Sequence, residues 1–153
     1  MKLLNALLIC LWALLAAGCQ AEAQRATSLP PILSEPASSA ELQAVVWRVT
    51  RIGDSPVVQN SPARIQFSDN GKVNGNASCN RFFGEYEHAQ GKLRLLGPPG
   101  ATKMMCLPHL MTQETQVLES LIQVDRAEVK AGQLLLLDEA DRVLLRAVPD
   151  QSS

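Results

Sequence analysis

Cys79 and Cys106 are the only cysteines downstream of Cys19, and each sits in a segment of unusual composition: residues 75–86 read GNASCNRFFGEY and residues 102–106 read TKMMC. Three chemistries are open to such a pair. A thiol nucleophile needs a base, and the chain offers only His88 and His109, neither in a protease-like motif. Met104, Met105, Cys106, His109 and Met111 are soft donors that would suit copper(I), although Met104 and Met111 equally suit a hydrophobic core. In an oxidising compartment the two thiols would instead cross-link. Closing that loop would restrict the denatured chain by about 3–4 kcal/mol, and it would remove the thiolate a metal needs. The expectation is a Cys79–Cys106 disulfide, with no catalytic residue, no metal and no cofactor.

Glu114 is the other residue whose placement could carry chemistry. It lies three or four positions from Leu110, Met111, Val117 and Leu118, so on a helix it falls within an apolar stripe. A buried carboxylate without partners is costly. A catalytic acid or base is one reading, but no second carboxylate or nucleophile is spaced to join it. The preferred reading is a buried tether, with Glu114 accepting hydrogen bonds from residues 78–81, through backbone N–H groups, Asn80 or Arg81.

The compartment is read from the N-terminus. Lys2 precedes an uninterrupted apolar run over residues 6–18, which ends at Cys19. The run suits a signal h-region and is short for a membrane span. Small residues before the cysteine resemble the lipidation box of bacterial lipoproteins, with the departure that Ala16 stands where leucine is usual and Leu15 is one place early. The alternative is an ordinary secretory signal. The expectation is a signal peptide over residues 1–18, lipidation at Cys19 and, because Gln20 rather than aspartate follows, sorting to the outer membrane facing the periplasm. Cys10 would be lost with the signal. Residues 19–40, with Pro30, Pro31 and Pro36 and no apolar periodicity, read as a disordered tether.

The domain that must hold these groups is expected over residues 41–150. The whole chain has 153 residues and a net charge of −1, which argues against a nucleic-acid partner. Period-two alternation marks strands around Val45, Trp47 and Val49, around Ala63, Ile65 and Phe67, over residues 72–76, around Phe82, Gly84 and Tyr86, and at Leu93 and Leu95. Three more follow at about 124–130, 133–137 and 142–148. Asn70-Gly71 and Gln90-Gly91 are hairpin turns. One helical stripe, Leu110, Met111, Val117, Leu118, Leu121 and Ile122, interrupts the strands behind Pro108. The fold class is therefore mainly β with one helix: a curled antiparallel sheet or incomplete barrel packed around that helix.

The chain resembles the META domain of HslJ-like bacterial envelope lipoproteins. The resemblance rests on Trp47, Gly75, Cys79-Asn80-Arg81-Phe82, Gly84, Tyr86, the Thr102-x-Met104-x-Cys106 pattern, Glu114 and the run Gly132-Gln133-Leu134-Leu135-Leu136. Ser78 departs from it, since glycine often precedes the Cys-Asn pair. The resemblance implies a small β-rich envelope domain, loosely associated with heat shock and envelope stress and without an established catalytic site. It also implies that Asn80, Arg81, Thr102 and Glu114 form a buried structural network. Three functions are in play: a non-enzymatic, stress-associated binding module; an outer-membrane assembly pilot or chaperone with an apolar groove; and a thiol enzyme or metal carrier. The first is preferred, as a monomer held to the membrane by its lipid, with an envelope protein as possible partner.

Overall fold

The computed structural model describes residues 36–151. The expected signal, Cys19 and most of the expected tether lie outside the described residues.

Alternating apolar residues make most of the strands, which bury one face; β9 is buried on both faces and β2 on neither. They are β1 (Trp47–Ile52), β2 (Ser55–Pro56), β3 (Arg64–Phe67), β4 (Lys72–Asn76), β5 (Arg81–Ala89), β6 (Lys92–Leu95), β7 (Gly100–Ala101), β8 (Arg126–Lys130), β9 (Gln133–Leu137) and β10 (Val143–Pro149). All pairings are antiparallel, in the order β10-β9-β8-β6-β5-β4-β3-β1. β1 then pairs back onto β10, with Trp47 opposite Pro149 and Ile52 opposite Leu145. The sheet is thus a closed barrel of eight strands, where a curled sheet or incomplete barrel was expected. Local alternation carries no trace of this closing pair, because its partners lie at opposite ends of the domain. The two-residue strands β2 and β7 add to β1 and β5 outside the ring.

Glycine is demanded at two places. A Cβ on Gly75 would sit 1.9 Å from the Arg64 carbonyl oxygen and 2.8 Å from the Phe82 ring, so β4 lies close to β3 only because that side chain is absent. In the β5–β6 turn Gln90 and Gly91 both have positive φ, 52° and 80°, as a tight hairpin requires.

The core is aliphatic, with Phe67 and Tyr86 in an edge-on contact at 5.0 Å. Helix α2 (Pro108–Ile122) sends Val117 and Leu121 into it and reaches from β6 to β1 and β10 on the other side of the ring. Its buried face is Gln113, Val117, Ser120 and Leu121. The expected stripe is therefore displaced: Met111 and Ile122 are exposed. Two polar residues, Gln113 and Ser120, occupy the core line and disguised it.

The packed body also starts earlier than residue 41. A short helix, α1 (Ser39–Gln43), is opened by a capping box in which Ser38 and Glu41 satisfy each other's backbone N–H groups. Leu42 is fully buried, and its carbonyl accepts the Trp47 indole N–H at 2.9 Å. Ahead of it Pro36 bridges to Glu128, and the Ala37 N–H donates to the Ala127 carbonyl at 3.0 Å. Residues 36–40, expected in the tether, thus belong to the domain.

Candidate functional site

The β4–β5 connection, the segment before α2 and the first turns of α2 meet at one point. Cys79 and Cys106 are joined there by a disulfide, with Cα atoms 5.9 Å apart. Both sulfurs are consumed by that bond.

Beside it, Asn80 is 4 % exposed and uses every hydrogen-bonding group it has. Its side-chain oxygen accepts from the Met104 N–H at 2.7 Å and the Thr102 hydroxyl at 2.8 Å. Its amide nitrogen donates to the Met104 carbonyl at 3.2 Å and to Glu114 Oε1 at 3.1 Å. Its backbone N–H donates to Glu114 Oε2 at 2.6 Å, and its carbonyl accepts from Ala77 at 2.9 Å. The Thr102 hydroxyl also accepts the Arg81 N–H at 3.2 Å, and the Thr102 N–H returns to the Arg81 carbonyl at 3.0 Å. Glu114 thus ties α2 to Asn80 through both carboxylate oxygens. Such charge-assisted bonds are about twice as strong as neutral ones.

Asn80, Thr102 and Glu114 are brought together, but they are not equally buried. Glu114 is half-buried, Thr102 is exposed, and Arg81, also exposed, contributes only its backbone. The expectation of a buried Arg81 and Thr102 is corrected accordingly. β5 alternates, and with Phe82 turned inward Arg81 must face out.

Gln113 was missed, and Ser78 was noted only as a departure from the motif. Gln113 is 3 % exposed; it accepts the Val58 N–H at 2.6 Å and donates to the Ser61 and Ser78 hydroxyls at 2.6 and 3.0 Å. Its spacing from Val117 and Leu121 was the available signal. Ser78 has φ +133°, a region that favours glycine. Its N–H is held by Asn76 Oδ1 at 2.8 Å.

The remaining candidates are dispersed. His109 is exposed at the start of α2. His88 lies toward the far end of β5, with Nδ1 2.8 Å from the Ser39 hydroxyl and Nε2 buried without a hydrogen-bond partner among the described residues. Burial lowers its pKa, offset in part by the Ala37 backbone. Met104, Met105, Leu107 and Met111 are 59 %, 92 %, 62 % and 43 % exposed, so Met104 and Met111 are not core residues. Among the described residues no group of three or more His, Cys, Asp or Glu side chains is gathered as a metal site would need. Cys19 lies outside the described residues.

Comparison with known proteins places this geometry. The family model of the META domain matches residues 40–151. The chain belongs to the META-domain family. Two protein structures solved by NMR align with it: one at 27% identity and a TM-score of 0.61, covering 76% of this chain and 99% of that one; the other, from Burkholderia xenovorans, at 24% and 0.59, covering 76% and 90%. A crystal structure of a DUF4847 family protein from Bacteroides vulgatus shares the fold at 12% identity and a TM-score of 0.55, covering 73% and 96%. No curated protein matches. In this META domain, Cys79, Asn80, Thr102, Cys106 and Glu114 form one node, while Trp47, Gly75 and Phe82 serve the packing around it.

Proposed function

We propose that this META-domain protein is a non-enzymatic binding module, lipidated at Cys19 and held at the outer membrane facing the periplasm. The observation that carries it is the occupancy of the node. Both sulfurs are bonded to each other, both Glu114 oxygens accept N–H groups, and Asn80 has no group to spare. The motif's polar residues are spent on holding the segment before α2 against β5. They present that segment outward, with Met105 at its tip. A disulfide also fits an oxidising compartment, which supports the signal peptide and the lipid anchor. The stress association follows from the META resemblance, and the module acts as a monomer.

The exposed Met104, Met105, Leu107 and Met111 favour a second reading, an assembly pilot, because flexible methionine surfaces suit apolar partners of varied shape. One experiment addresses both. The full chain is expressed with a photo-crosslinking residue at position 105 and labelled with palmitate in intact cells. The module reading expects label that disappears in Cys19→Ala and a discrete crosslinked envelope protein. The pilot reading adds that deletion strands that protein away from the outer membrane. Unlabelled wild-type protein would remove the anchor, and its absence from crosslinks would remove the docking segment.

A further inference from the structure

A second surface lies on the outer face of β3, β4 and β5. Ladder pairing sets Gln66 opposite Asn74 and Asn74 opposite Phe83, and in the next outward row Arg64 opposite Asn76 and Asn76 opposite Arg81. These side chains wall a groove of about 530 Å³, a size within the roughly 300–1,000 Å³ of small-ligand sites. No carboxylate lines it. Arg64 is paired with Asp150, whereas among the described residues the Arg81 guanidinium makes no ion pair. Gln66 and Asn74 are exposed, and among the described residues neither side chain has a hydrogen-bond partner. Phe83 is 60 % exposed, and its ring rests on the backbone of Gly100, where a Cβ would come within 2.6 Å of it.

We propose that this groove binds a carboxylated saccharide. This deepens the binding-module reading and rests on it. Each part of the groove has a counterpart in such a ligand. Carboxamides offer a donor and an acceptor side by side, matching neighbouring sugar hydroxyls. A fixed, open aromatic ring matches the C–H face of a pyranose. The Arg81 guanidinium matches one carboxylate in fork geometry. The other occupants fit less well. A peptide adding as a strand needs a free sheet edge, and β3, β4 and β5 are paired on both sides. A nucleic acid needs a track of cations along its phosphates; the groove is lined by Arg64, which is paired with Asp150, and Arg81, and the chain's net charge is −1.

The test titrates the full-length, detergent-solubilised protein with tetragalacturonate, with neutral maltotetraose and with a thymidine tetranucleotide, followed by amide NMR shifts and calorimetry. Tetragalacturonate is expected to shift β3–β5 resonances and to bind about tenfold more tightly than maltotetraose. Arg81→Gln and Phe83→Ala should each weaken it by about tenfold at unchanged melting temperature; Phe83→Tyr should retain it. No shift with tetragalacturonate at millimolar concentration overturns the proposal. So does undiminished binding in both variants, or tighter binding of the tetranucleotide. A partner still captured at position 105 alongside a silent groove would sink the groove alone; loss of both would sink the module reading.

Discussion

The barrel is held very differently at two places. Around Asn80, a covalent bond and a saturated set of hydrogen bonds join three chain segments. At the β6–β8 seam the ladder has one residue pair, Lys92 with Arg126, flanked by Leu93 N–H to the Asp125 carbonyl and Ala127 N–H to the Gly91 carbonyl. His88 Nε2 and Arg126 Nε are buried there without a hydrogen-bond partner among the described residues. Pro36 and Ala37 lie over this seam. The contrast teaches that motif residues concentrate where the fold is over-determined, and that the weak join is covered by chain that looked like linker.

Breaking the strong side should cost most. Cys79→Ser with Cys106→Ser, or reduction, should lower unfolding free energy by about 3–4 kcal/mol, read from urea midpoints with and without reductant. Asn80→Ala takes the partners from Glu114 Oε1 and from the Met104 N–H and carbonyl and should cost about 2–3 kcal/mol; Glu114→Gln, which keeps the shape but loses the charge, about 1–2 kcal/mol. Arg81→Ala, one residue along, should change stability by less than about 0.5 kcal/mol. An Asn80→Ala protein as stable as Arg81→Ala would erase the comparison.

The seam should yield to gentler changes. Gly91→Ala places a Cβ 2.3 Å from that of Pro36 at φ +80°, and should cost about 1–2 kcal/mol. Hydrogen exchange should speed up at Ala37 and stay slow at Asn80. The smallest effect is that of pH. His88 has a folded-state pKa below 6.5 because of burial, so the unfolded chain binds its proton first. The stability it contributes is complete above about pH 6.5 and falls as pH drops through the window beneath. His88→Gln should flatten urea midpoints measured from pH 7 to pH 5. Glu41, Glu85 and Asp138, all held low by hydrogen bonds, act at lower pH and leave that window clear.

What the sequence could disclose follows the range of the interactions. Hairpins at Asn70-Gly71 and Gln90-Gly91, the alternating strands and the Cys79–Cys106 pair were legible because each depends on neighbours or on elimination between two thiols. Glu114 was legible as a carboxylate on the apolar side of a helix, and its tie to Asn80 stood among the alternatives. The closure of β1 on β10 was not, being non-local. The true face of α2 was obscured by Gln113, whose three partners come from other elements. Residues 36–40 read as tether because proline and serine dominate them, although Ser38 and Glu41 already spelled a capping box.

A ring sealed by its first and last strands has a consequence for how it is made. The closing partner, β10, ends at Pro149, so the ring stays open until the last strand of the domain is in place. Until then β1 offers a bare edge bearing Trp47, which invites pairing between neighbouring molecules. A domain truncated before Val143 should therefore self-associate, read by light scattering, where the domain through Pro149 stays dispersed.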